Sequence, residues 1–147
     1  MQSGELNAKS YLFAQLSKKA LTECEASEKL AKKGFSREET SKAITIAKDY
    51  GYINDLNYCK NYFLSRSSLK GFYKIKQELI QRGVPSEVIL LSYQDSEINE
   101  KSAVKNLAEK FLKNKESDPK IKEKLFRHLA GKGFGFEVIN ETINNMF

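Results

Sequence analysis

A glycine-centred pattern occurs three times in this chain at almost constant spacing. It reads Leu30-Ala31-Lys32-Lys33-Gly34-Phe35, then Leu79-Ile80-Gln81-Arg82-Gly83-Val84, then Leu129-Ala130-Gly131-Lys132-Gly133-Phe134. The glycines stand 49 and 50 residues apart. Eight positions before each stand Ala26, Ile75 and Leu125; ten positions after stand Ile44, Tyr93 and Ile143. A period of this length marks a repeat protein, in which each unit hides its apolar face against a neighbour. Such arrays offer surfaces to partners more often than they enclose catalytic clefts.

Helical periodicity fills the intervals between these glycines. Leu12, Leu16, Ala20 and Leu21 predict a helix from about Ala8 onward. Thr22 with Glu25, and Ser36 with Glu39, have the spacing of capping boxes, in which hydroxyl and carboxylate each take a free backbone N–H. They predict helices ending at Gly34 and Gly51. Asn54 caps a helix with Tyr58, Tyr62 and Phe63, which Gly71 interrupts. Ile75, Leu79 and Ile80 mark the next helix, and Pro85 opens a short one with Val88, Ile89 and Leu91. Ser96 is expected to open a helix with Val104, Leu107 and Phe111. Asp118-Pro119 opens one with Ile121, Leu125 and Leu129, and the last carries Val138, Ile139 and Ile143. No segment alternates with a two-residue period, so no strand is predicted.

The expected fold is therefore all-α: three tandem three-helix repeats, at residues 1–53, 54–95 and 96–147, forming an elongated, curved array. Leu30, Leu79 and Leu129 should occupy equivalent buried sites. Gly34, Gly83 and Gly133 should sit at helix ends with positive φ.

Composition narrows the function. The 147 residues carry a formal net charge of +6, which favours an acidic partner, either nucleic acid or protein. Cys24 and Cys59 form neither a disulfide framework nor a zinc spacing, which points to a reducing cytosol. No charged region followed by an apolar run opens the chain, and no stretch approaches a membrane span, so neither a signal peptide nor a membrane contact is expected. Phosphate loops, metal-ligand clusters and nucleophile motifs are missing from the sequence, so an enzyme has no constellation to stand on.

The remaining candidates have plain alternatives. His128 is the only histidine, and its repeat equivalents Lys29 and Glu78 place it on a solvated face. Cys59 falls among apolar positions. Cys24 lies near a helix start, where a thiol pKa can fall, but a structural or neutral cysteine is the preferred reading. The nine Phe and seven Tyr mostly follow core spacing, with Phe72 and Tyr73 less settled after Gly71.

Charge is shared evenly among the three units but not within the middle one. From Lys60 to Arg82 there are six bases (Lys60, Arg66, Lys70, Lys74, Lys76 and Arg82) and one acid, Glu78. Arg66, Lys70 and Lys74 follow helical spacings that could group them on one side. The six are the candidate partner-binding or nucleic-acid-binding residues, with Lys70 and Lys74 expected to be exposed. The alternative is an ordinary solvated face.

The middle unit also carries a signature. Asn54-Asp55, Tyr58-Cys59, Phe63, Arg66, Lys70-Gly71, Ile75, Glu78-Leu79 and Arg82-Gly83-Val84 resemble the pattern of the RecX family. Thr22, Glu25, Lys29-Leu30 and Lys33-Gly34-Phe35 are similar to that family's preceding run. Together these cover residues 22 to 92. Asn54 stands for the family's first acid, Ala26 for a Leu, Cys59 for an Ala, Arg82 for a Lys and Val84 for an Ile. The resemblance implies a cytoplasmic, monomeric, cofactor-free regulator of the RecA recombinase. It would bind the RecA–DNA filament and inhibit strand exchange, ATP hydrolysis and co-protease activity, by occupying the filament groove or capping its end. The rival readings are a helical protein that binds nucleic acid directly without RecA, and a helical scaffold for an unrelated partner.

Overall fold

The computed structural model describes residues 3–113 and 115–147. All regular structure among them is α-helical: α1 (Ser3–Lys18), α2 (Glu23–Lys33), α3 (Arg37–Asp49), α4 (Asp55–Arg66), α5 (Phe72–Gln81), α6 (Ser86–Ser96), α7 (Glu100–Leu112), α8 (Ile121–Gly131) and α9 (Phe136–Met146). The chain divides into two compact units, Met1–Cys59 with Leu79–Leu91 and Lys60–Glu78 with Ser92–Phe147. The helices α4, α5 and α6 each run from one unit into the other.

In the first unit, α1 packs along α3 and against α2. Its core holds Ala8, Leu12, Leu21, Ala26, Leu30, Ala43, Ile44, Ala47 and Ile53, with Tyr11, Phe13, Leu16 and Phe35 packed around it. Both capping boxes form: Thr22 and Glu25 close the start of α2, and Ser36 and Glu39 close the start of α3. α1 starts at Ser3, ahead of the expected Ala8, and stops before Ala20, which is exposed. The stretch ahead of Ala8 is helical although it contains Gly4, which costs a helix about 1 kcal/mol relative to alanine.

In the second unit, α7, α8 and α9 enclose Val104, Leu107, Ala108, Leu125, Leu129, Phe134, Ile139 and Ile143. Phe63, Phe72 and Tyr93 stack in the same unit, with the Tyr93 ring centroid 5.1 Å from Phe63 and 4.7 Å from Phe72. Burial, helped by the charge of Glu100, pushes the Tyr93 hydroxyl up to about 12.

Leu30, Leu79 and Leu129 are all fully buried, and Gly34, Gly83 and Gly133 all take positive φ. Two helix starts differ from expectation. Ser96 does not open α7; it is the last residue of α6, and its hydroxyl donates back to the Ser92 carbonyl at 2.6 Å. Asn99 performs the capping, accepting the Lys101 N–H at 2.9 Å. Asp118 accepts the Lys120 N–H, a turn ahead of α8, whose own N-cap position, Lys120, has no side-chain cap. In α6, Ile89 and Ser92 point inward, whereas Leu91 is exposed.

Candidate interaction surface

Arg66 ends α4, Lys70 lies in the turn after it, and Lys74 and Lys76 lie on the first turns of α5. One helical spacing therefore does not carry Arg66 through to Lys74, because the turn resets the geometry. Lys60, Arg66, Lys70, Lys74 and Lys76 belong to the second unit, and Arg82 belongs to the first.

Lys70 is not the free, exposed cation expected. Its Nζ lies 2.9 Å from Glu78 Oε2 and 3.1 Å from Oε1, and its side chain is only 35% exposed. The Tyr62 hydroxyl donates to the same carboxylate at 2.6 Å. The Arg66 guanidinium stacks 3.6 Å from the centroid of the Tyr62 ring, a cation–π contact that also fixes the ring. Burial works to raise the Glu78 carboxyl. The Tyr62 hydrogen bond, the Lys70 hydrogen bond and charge, and the Arg66 charge outweigh it and hold Glu78 below its ordinary value. Glu78, read from its repeat position as a solvated residue, is instead the hub of this network. Its standing as the one acid in a basic segment was the signal.

Arg82 is likewise engaged. Its Nη1 donates to the Tyr58 hydroxyl at 2.6 Å and lies 3.7 Å from Glu25 Oε2, and its carbonyl accepts the Thr22 hydroxyl at 2.7 Å. Among the described residues, Lys60, Lys74 and Lys76 form no ion pair. The Lys76 ammonium lies 6.0 Å from the centroid of the Phe72 ring. Lys74 is exposed, and so are its neighbour Tyr73 and, in the turn before α5, Leu69. Tyr73 sits beside Gly135, where a Cβ would stand 3.7 Å from its ring, an ordinary contact.

The α5 start is held in place by the third repeat. Gly71 N–H donates to the Lys132 carbonyl at 2.9 Å and Tyr73 N–H to the Gly133 carbonyl at 3.0 Å. The Phe72 N–H donates to Glu100 at 2.9 Å. The first unit repeats the device at α2, where the Glu23 N–H donates to Asp55 at 2.9 Å. Asp55 and Glu100 are the first residues of α4 and α7. Each therefore caps the second helix of the preceding repeat as well as opening its own. Burial pushes both carboxyls up, and each accepted N–H pulls back.

His128 is half-buried and stacks on Phe111 at 4.6 Å. Burial and the charges of Lys132 and Lys115 push its pKa down. At Cys24 burial and the neighbouring carboxylates, Glu28 first, push the thiol up. Cys59 is buried. Among the described residues no group of His, Cys, Asp and Glu is placed to hold a metal ion, and no helix is long and apolar enough to cross a membrane.

Two family models match the chain, the second three-helix domain of RecX over residues 54–90 and the third over residues 99–143. A regulatory protein RecX of Clostridium perfringens (strain 13) is 40% identical over 131 residues, covering 85% of this chain and 61% of the relative. One from Caldanaerobacter subterraneus subsp. tengcongensis is 34% identical over 140 residues, covering 93% of this chain and 69% of the relative. The chain thus spans less than two thirds of the Clostridium perfringens relative. The crystal structure of RecX from Lactobacillus salivarius shares the fold, with a TM-score of 0.88 at 23% identity over 99% of this chain and 97% of that one.

Proposed function

The chain belongs to the RecX family, and from that premise we propose that it is a non-enzymatic regulator that binds the RecA–DNA filament. In this reading it inhibits strand exchange, ATP hydrolysis and co-protease activity, acting as a cofactor-free monomer in the cytoplasm. The observation that carries the surface assignment is the presence of cations without ion-pair partners among the described residues, Lys60, Lys74 and Lys76, in the repeat that matches the family's second domain. Ion pairs already made inside the protein offer little to a partner; these three cations remain available to acidic side chains or phosphates. Arg66 and Lys70, in the same unit, act on this surface by shaping it.

Inhibition then needs no chemistry. A ligand shifts an assembly equilibrium by its affinity difference between states, so occupying the filament groove or capping its end both suffice. Contacts of this kind weaken as salt rises. The exposed ring of Tyr73 beside Lys74 favours a second reading, direct contact with single-stranded DNA, because a ring face beside a cation suits a base and its phosphate.

The test adds the protein to preformed RecA filaments and follows ATP hydrolysis. A Lys60→Glu/Lys74→Glu variant with an unchanged circular dichroism spectrum should inhibit about tenfold more weakly. Full inhibition by that variant at low and at physiological salt would remove the surface assignment. A salt-sensitive gel shift with DNA alone, lost in the same variant, would favour direct DNA contact.

A further inference from the structure

Asp55 and Glu100 each open a first helix and cap the helix start before it, so they occupy equivalent places in the second and third repeats. Lys70 stands fifteen positions after Asp55, and Lys115 fifteen after Glu100. Five positions before the repeat glycines stand Glu78 and His128. In the second repeat the Glu78 carboxylate holds Lys70 at 2.9 Å. The third repeat keeps the cation, Lys115, and carries an imidazole where the carboxylate was. A second exchange of the same kind lies one position before the glycine. Arg82 faces Glu25 at 3.7 Å, whereas its counterpart Lys132 has Lys74 at the place equivalent to Glu25. Lys74 does lie there: a Cβ on Gly133 would stand 2.4 Å from its own Cβ. Two acids that neutralise cations inside the protein are thus replaced by bases, and all four bases belong to the second unit.

The bases around His128 converge. Its ring stacks on Phe111 at 4.6 Å, and the Lys115 ammonium lies 4.9 Å from the centroid of the same ring. Lys132 stands one helical turn beyond His128, on the same face of α8. The charges of Lys132 and Lys115 both bear on the imidazole, and no carboxylate does. Lys115 is exposed, and His128 and Lys132 are half-buried. Among the described residues none of the three forms an ion pair, and neither ring nitrogen of His128 has a hydrogen-bond partner. One turn earlier on α8, Lys124 is paired with Asp118 and so close to neutral. We propose that Lys115, His128 and Lys132 form a site for a phosphate group. In the second repeat one ammonium and one hydroxyl suffice for one carboxylate. Two ammoniums and an imidazole N–H supply more charge and more donors, which match a group with several acceptor oxygens and up to two charges. A nucleic-acid backbone and free inorganic phosphate both present that chemistry. The three residues lie outside the set Lys60, Lys74 and Lys76, so this site and the filament reading fail separately.

His128 is the only histidine, so its ring protons give one set of NMR signals in the full chain. Inorganic phosphate, added at constant ionic strength, should shift these signals saturably. It should also raise the His128 pKa by about one pH unit, because a bound anion favours the imidazolium. Chloride or acetate in its place should do neither. Lys115→Gln and Lys132→Gln should each weaken phosphate binding about tenfold. Each should also raise the His128 pKa of the phosphate-free chain, since a like charge is gone. A single-stranded oligonucleotide is the second probe. Saturation at about a hundredfold lower phosphate concentration than inorganic phosphate needs identifies a nucleic-acid backbone as the source, and an equal or weaker effect identifies free phosphate. The proposal is overturned if acetate or chloride acts as phosphate does, if either glutamine variant binds phosphate as the parent does, or if phosphate leaves the His128 signals unchanged.

Discussion

The Asp55 carboxylate accepts the backbone N–H of Glu23 at 2.9 Å, so the residue that opens one repeat closes the helix start of the repeat before it. Glu100 does the same for Phe72 at the same distance. A free N–H at a helix start needs an acceptor, and a carboxylate there also meets the positive end of the helix dipole. The two carboxylates are thus part of what fixes the register of successive repeats.

Removing either should therefore cost about 1 kcal/mol, the usual loss on deleting a helix cap. Asp55→Ala and Glu100→Ala are the variants, and thermal unfolding is the measurement. Asp55→Asn and Glu100→Gln keep an acceptor oxygen and should lose less. Alanine and amide variants with equal melting temperatures would show that the bond itself contributes nothing.

The repeat glycines share a backbone conformation but not an environment. Gly34 has φ +100 and open space around its missing side chain. Gly133 has φ +93, and a Cβ there would meet the backbone nitrogen of Lys74 at 2.5 Å. Gly34→Ala should cost about 1 kcal/mol, the strain of a left-handed residue. Gly133→Ala should cost about 2 kcal/mol beyond that, because the α5 backbone must move aside. Urea unfolding of the two variants checks the difference; equal midpoints would mean that the close approach is easily relieved.

These features differ in how far they could be seen in the sequence. The Thr22–Glu25 and Ser36–Glu39 boxes close within three residues, so spacing alone revealed them. Leu30, Leu79 and Leu129 were legible because the repeat poses the same packing problem three times. The Asp55–Glu23 bond was not legible, since it spans 32 residues and depends on how repeats meet. The Lys70–Glu78 pair was hidden for a related reason: it crosses a turn, where helical spacing gives no guide to which side chains meet. Ser96 was misread because a serine can bond back into its own helix as readily as it caps the next. The orphan hydroxyl of Thr40 left a trace, an unlike residue at a repeat position, but only the folded arrangement shows that no group among the described residues answers it.

The acidic groups with raised and with lowered pKa should respond oppositely to pH. Asp55 and Glu100 have folded pKa values raised above the ordinary 3.8 and 4.5. The folded state then holds their protons longer, and stability falls as pH rises through those raised values. Glu78 is lowered from 4.5, so its contribution is present above that value and lost as pH falls through the folded pKa. Glu100→Gln should therefore compare better with the parent at pH 7 than at pH 4. Glu78→Gln should compare worse at pH 7 than at pH 3. Melting temperatures across that range decide it, and a pH-independent difference for either variant would contradict the assigned shift.

Charge reversal should separate the two lysines that the sequence treated alike. Lys70 faces Glu78 at 2.9 Å, whereas Lys74 is exposed and has no ion-pair partner among the described residues. Lys70→Glu places two carboxylates together beside the Tyr62 hydroxyl, and should destabilise by about 1 kcal/mol, a modest figure because the Lys70 side chain is partly in solvent. Lys74→Glu should leave the melting temperature unchanged. Exchanging the pair, Lys70→Glu with Glu78→Lys, should recover part of the loss, since the attraction is restored even though Tyr62 loses its acceptor. The functional effects should run the other way. With RecA filaments, Lys74→Glu should weaken inhibition of ATP hydrolysis more than the exchanged pair does, because the exchange preserves the local net charge. If the exchanged pair loses inhibition while Lys74→Glu keeps it, the partner reads the Lys70–Glu78 arrangement itself, and the free cations are an ordinary solvated face.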